Sequence, residues 1–167
     1  MKKYIPLIAL SLLICLFIYL FFRTEKTVVN QAFISLFSKG AYHSLKTSIH
    51  EILPLKPAIV YSLPEGLWVF CITITSKFFY ISLGRIKVNL ALVPLILAVG
   101  LELCQLLHVT NGRFDFIDIG FSFLFWLAAY VSTDTYKKEK NIHTGITFSN
   151  ISCVFCYSIV YLAHVIQ

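Results

Sequence analysis

The side chains best suited to chemistry in this 167-residue chain are acidic and few. Glu102 and Gln105 are three residues apart, as are Asp115 and Asp118, so on helices each pair would share a face. Arg113 stands just before the second pair, and Glu65 lies in an earlier segment. Four of the chain's eight acidic residues belong to this group. Carboxylates, a carboxamide and one guanidinium can together hold a polar head group or a partner. They can also supply a general acid or base, with an arginine to hold an anion. Each member has a purely structural use as well. Glu65 completes a capping box with Ser62, Asp115 can cap a helix, Asp118 suits a positive helix end, and Glu102 with Gln105 can bond between helices. His108 is the one histidine nearby, and the spacing forms no metal-ligand set, so neither a metal nor a cofactor is expected. Ser-x-x-Lys and Gly-x-Ser-x-Gly patterns are missing, which leaves a serine nucleophile unsupported.

Composition decides what must position these residues. The chain is 58% hydrophobic and 13% charged, whereas soluble domains are about a quarter charged. Several apolar runs approach the roughly 20 residues that cross a bilayer. A water-soluble core of this size could not bury them all. Lipid demands internally satisfied backbone, and the runs are too continuous for barrel strands, so helices follow. The expected fold class is all-α: one integral membrane domain, a multi-pass transmembrane helical bundle. Its five spans are residues 4–22, 63–83, 88–109, 114–131 and 146–166, and residues 24–57 form an external amphipathic loop.

The first run follows Lys2 and Lys3 and ends at Arg23. It is longer than a signal-peptide core and lacks a small-x-small cleavage site, so it reads as an uncleaved span. Ile14 before Cys15 also spoils a lipoprotein signal. Residues 24–57 carry two helical stripes separated by a break at Gly40. Val28, Val29, Ala32, Phe33, Leu36 and Phe37 make the first, and Tyr42, Leu45, Ile49 and Leu53 the second. Both are too short to cross, which predicts helices lying at the interface. In the second span, Ser62 would be the N-cap, Pro64 would fall in the first turn and Lys77 would snorkel to head groups. Pro94 would kink the third span. Thr110, Asn111 and Gly112 would make the turn to the fourth, forcing antiparallel packing. Cys15, Cys71, Cys104, Cys153 and Cys156 all lie in apolar runs, so they read as small packing residues rather than a disulfide framework. The Cys153-x-x-Cys156 pair has no second ligand pair.

Basic residues give the orientation. Lys2, Lys3, Lys77, Arg85, Lys87, Lys137, Lys138 and Lys140 collect on one side, against Arg23, Lys26 and Arg113 near the membrane on the other; Lys39, Lys46 and Lys56 lie within the long first loop on that other side and count for less. The positive-inside rule then places the N-terminus in the cytoplasm and the C-terminus outside. The net charge of +6 thus reflects topology and anionic lipid, with no basic aromatic stripe for nucleic acid. In that orientation the acidic group and Arg113 gather at the outer face.

Glu102 and Gln105, then Gly112, Arg113, Asp115 and Asp118, resemble the signature of the VanZ-like membrane protein family. That signature has a Glu and Gln at i, i+3, a short turn with Gly-Arg, then two Asp at i, i+3. The similarity covers about a quarter of the chain. It departs after Asp118, where Phe121, Ser122 and Phe123 stand in place of an Asn and glycine-rich packing, as in a divergent member. The resemblance implies a multi-pass protein of the bacterial cytoplasmic (inner) membrane, related to the cell envelope or to glycopeptide response, without an assigned molecular activity. The expected function is that of an accessory protein at the outer leaflet. Membrane lipids, a polar head group or a lipid-linked cell-wall precursor would be its partners. The alternatives are an intramembrane enzyme acting on a lipid-linked or head-group substrate, or a small transporter subunit. Five helices without a repeat would need to oligomerise to make a complete transporter.

Overall fold

Apolar runs become helices, but not at all the expected boundaries. The computed structural model describes residues 2–24, 28–83, 86–109, 113–133, 140–141 and 148–165. Among them the chain is mostly helical: α1 (Ile5–Phe22), α2 (Val28–Phe37), α3 (Lys39–Ile52), α4 (Pro57–Ser76), α5 (Val93–Leu106), α6 (Phe116–Ser132) and α7 (Phe148–Val165). A small sheet is formed by β1 (Phe79–Leu83), β2 (Ile86–Asn89) and β3 (Lys140–Asn141). The expected turn at Thr110, Asn111 and Gly112, and the basic residues Lys26, Arg85, Lys137 and Lys138, lie outside the described residues.

Two described helices, α1 and α4, are long and apolar enough to cross a membrane. They differ in surroundings: 72% of α4's apolar window is buried inside the protein, against 28% of α1's. A helix buried on all sides is a central one, and α4 packs against α1, α5, α6 and α7. Trp68, Val69, Cys71, Ile72 and Ile74 of α4 meet Ile8 of α1, Ala98 of α5, Ala129 of α6 and Cys156 of α7. Small residues on the outer helices let them approach α4 closely.

The ends of α4 correct the sequence reading. The helix begins at Pro57, whose fixed φ suits a first position, and not at Ser62. Ser62 is therefore no cap; it is buried within the helix. Pro64 lies inside as well, where its ring removes the N–H that would bond the Val60 carbonyl. At the other end α4 stops at Ser76, and the residues expected to finish that span form β1. β1 and β2 are antiparallel, with Tyr80 opposite Asn89 and Ser82 opposite Lys87, and β3 adds parallel to β1. Aromatic and β-branched side chains at Phe79, Tyr80, Ile81 and Val88 favour the pleated ribbon over a helix. Lys77 does not snorkel. It is 7% exposed, and its Nζ donates to the carbonyls of Tyr130 (2.5 Å) and Thr133 (2.9 Å), closing the end of α6. Pro94 falls in the first turn of α5, so it starts that helix instead of kinking it. His108, at φ 57°, takes the left-handed conformation that ends α5, and its N–H donates to Gln105 O.

The two stripes of residues 24–57 do form two helices, α2 and α3. The break falls at Ser38, with φ 70°, and Gly40 lies inside α3. This arm closes the C-terminal end of α1, which has no basic residue in its own last turn. Asn30 Nδ2 donates to Tyr19 O and Thr24 O, at 3.1 and 2.8 Å. Tyr42 Oη donates to Leu20 O at 2.7 Å, and Lys46 Nζ to Arg23 O at 3.1 Å. His50 Nε2 lies 2.7 Å from Phe21 O. A carbonyl only accepts, so Nε2 carries the proton there.

The closest approach of α4 and α6 is at Gly66. A Cβ added there would stand 2.5 Å from a ring carbon of Phe125, and 3.0 Å from the ring carbon nearest the Phe125 backbone. Gly66→Ala should lower stability in detergent by about 1–3 kcal/mol, since overpacking outweighs the helix propensity gained. Gly100→Ala, with nothing within 4 Å of the added Cβ, should gain about 0.5–1 kcal/mol. Thermal unfolding of the two variants checks both signs.

Candidate functional site

Three helices bring carboxylates to one place. Glu65 lies two turns into α4, Glu102 in the last turns of α5, and Asp118 in the first turn of α6. One oxygen from each lies within 4.8 Å of the others. The short connection between α5 and α6 places Glu102 beside the start of α6. The Gly66 contact then carries Glu65 up against the same turn.

Local hydrogen bonds fix the group. The backbone N–H of Asp115 donates to Glu102 Oε2 at 3.0 Å, and Ser122 Oγ donates to Glu65 Oε1 at 3.4 Å. Glu102 is 3% exposed. Asp118 Oδ1 is buried and has no hydrogen-bond partner among the described residues. The N-terminal end of α6, with its positive dipole, faces this negative charge and offsets part of it.

The other expected members divide. The Asp115 carboxylate is a helix cap: its Oδ1 accepts from Ile117 N at 2.9 Å, and its backbone N–H is what serves the site. Gln105 is half-buried, with no side-chain hydrogen bond among the described residues. Arg113 is exposed and forms no ion pair with Glu102. The guanidinium that does approach comes from Arg23, just past α1. Its Nη2 donates to Tyr61 O at 3.3 Å, one turn before Glu65, and it lies 5.1 and 4.7 Å from the Tyr19 and Tyr61 ring centroids. Its Nε is buried without a partner among the described residues. Sequence reasoning took Arg23 for a helix stop. The available signal was Tyr19, four residues back on the same helix face. Ser122, read only as a departure from the family pattern, is also part of the site.

Chemically, three ionised carboxylates in an apolar surrounding need counter-charge or protons. Oxygens on opposite sides of one Mg²⁺ or Ca²⁺ lie about 4–5 Å apart, so Glu65, Glu102 and Asp118 could hold a hard divalent cation. An ammonium group would suit the same oxygens as a donor of three hydrogen bonds. With Arg23 to one side, the site offers negative and positive recognition next to each other.

The roles of Glu102 can be separated. Glu102→Gln keeps an acceptor for the Asp115 N–H and removes one negative charge, so it should leave or raise the melting temperature in ligand-free detergent. Glu102→Ala orphans that N–H and should cost about 1–3 kcal/mol. Arg113→Gln should change stability by no more than about 0.5 kcal/mol, as for other exposed positions. No family model matches the chain, and no curated protein or solved structure matches it.

Proposed function

We propose that this chain is a multi-pass, VanZ-like protein of a bacterial cytoplasmic membrane that acts as an accessory protein at the outer leaflet. The Glu65, Glu102 and Asp118 oxygens would receive the cationic part of a polar head group or lipid-linked cell-wall precursor. Arg23 would receive its anionic part. The observation that carries the reading is the convergence of three carboxylates from three helices in a chain only 13% charged. Separate structural uses, such as caps, would leave them at separate helix ends.

Membrane residence with five spans is supported by what the shorter helices expose. Ile96 of α5 is 65% exposed, Leu124 and Val131 of α6 62% and 74%, and Val154 and Phe155 of α7 61% and 59%. In water such continuous apolar faces would drive aggregation; in hydrocarbon they are ordinary. α6 has 17 residues, and α5 with its preceding turn spans Leu90–Leu106, at the short end of the crossing range of roughly 17–25. Reporter fusions after Lys138 and Gln167 should give cytoplasmic and external signals. The reverse pattern would put the carboxylates on the cytoplasmic side and exclude an outer-leaflet role.

A second reading, an intramembrane enzyme, is favoured by one specific observation. Carboxylates this close, one hydrogen-bonded to Ser122 and one with an oxygen that has no partner among the described residues, suit proton transfer to a bound head group. Native mass spectrometry of protein extracted with its own lipids distinguishes the readings. The accessory role expects an intact polar lipid or precursor, retained by the wild type and lost from a Glu65→Gln, Asp118→Asn variant. A head group converted by the wild type alone would instead establish catalysis. Identical adducts on both proteins, or none on either, would sink the site.

A further inference from the structure

α3 docks on the end of α1 through Tyr42, Lys46 and His50, and leaves an apolar edge and the Lys39 end of a basic edge exposed. Tyr42, Lys46 and Ile49 turn toward the end of α1, where Tyr42 and Lys46 close the carbonyls of Leu20 and Arg23. Because His50, two turns beyond Tyr42, also reaches Phe21 O, α3 lies across the end of α1 and does not extend it. At 100° per residue, Ala41, Leu45 and Ile52 fall on one flank of this docked face. Leu45 is 45% exposed and Ile52 81%. Leu36 and Phe37, at the corner before α3, are also 77% and 58% exposed. On the opposite flank lie Lys39 and His43, both exposed, with His50 between them stacked on Phe22, and Lys56 is exposed just beyond the helix. Ser44, Thr47, Ser48 and Glu51 form the back, pointing away from α1. The one acid of α3 is thus kept off both flanks.

We infer that this arm is a clamp for anionic phospholipid, gripping the leaflet surface around the end of α1. The inference rests on the membrane reading of α1. If α1 crosses a bilayer, its last carbonyls mark the boundary between hydrocarbon and head groups, and α3 lies in that plane. The apolar edge then enters the acyl boundary, while Lys39 and Lys56 meet lipid phosphates. An amphipathic helix flanked by cations binds anionic lipid in this way. A soluble protein partner would not require the apolar edge to sit level with the end of a span. Nor would it account for cations and apolar side chains on opposite flanks of one docked face.

The test is amide hydrogen exchange of residues 39–52 in the full chain, reconstituted into nanodiscs of phosphatidylcholine alone or phosphatidylglycerol alone. Exchange should be slower in phosphatidylglycerol, and high salt should remove the difference. A Lys39→Gln, Lys56→Gln variant should lose about fivefold of that protection per lysine. Both lysines are exposed and make none of the bonds that close α1, so the variant keeps the fold. Ile52→Ser should speed exchange in both lipids. Equal exchange in the two lipids, or slowing that survives loss of both lysines, would overturn the clamp while leaving the membrane reading intact. Failure of the chain to enter nanodiscs at all would overturn both. Equivalent slowing by soluble polyphosphate over phosphatidylcholine would reassign the arm to a polyanion in solution.

Discussion

The spacing of α4 and α6 depends on the absence of a side chain at Gly66. Phe125 fills the place where a Cβ would stand. That contact draws the two helix backbones together at the level where Glu65, next in sequence to Gly66, must reach Ser122 and Asp118, three and seven residues before Phe125. A wider spacing would separate the carboxylates of α4 from those of α5 and α6. Each would then revert to a local capping or interhelical role. The small-residue contact and the acidic group are one arrangement, seen from its packing side and its polar side.

A second constraint is the closing of helix ends without water. The last carbonyls of α1 are met by Asn30, Tyr42, Lys46 and His50 from the arm, and those of α6 by Lys77 from α4. In both cases one of the donors is a lysine from outside the helix, placed at the negative end of the helix dipole. The arm is therefore a structural completion of α1 before it is anything else. Arg23 links it to the site: its carbonyl is held by Lys46, and its guanidinium by Tyr61 and the aromatic faces beside Glu65.

Much of this was legible in the sequence, and the failures have definite causes. Glu102, Asp115 and Asp118 could be placed together because a short turn leaves two helices no choice but to run side by side. Glu65 was placed in the right group for the wrong reason. The Ser62-to-Glu65 capping pattern is genuine as a pattern, but Pro57 starts the helix earlier and carries Glu65 two turns inward. Arg113 and Arg23 could not be ranked from sequence, because proximity along the chain favours Arg113 while the packing of α1 on α4 favours Arg23. The β1–β2 ribbon was hidden by its apolarity: a run from Ser62 to Leu83 is long enough for a span, and hydrophobicity does not distinguish a long helix from a shorter one followed by a strand. Lys77 held the clue, since a lysine there must either reach water or find carbonyls, and only the fold shows which.

The partners of Lys77 lie 53 and 56 residues further along the chain, and Ser122 follows Glu65 by 57. Glu65 of α4 and Lys77 just past its end therefore wait for a helix not yet made. At translation speeds of about 5–20 residues per second, that wait is roughly 3–11 seconds. A lone lysine in lipid is costly, so for a membrane-resident chain α4 must stay in a wet or protein-lined place until α6 arrives. α1 carries no such debt and can settle at once. In such a membrane-resident chain the order of synthesis and the order of insertion would differ: α1 would enter first by itself, and α4 would enter with α6 as a pair.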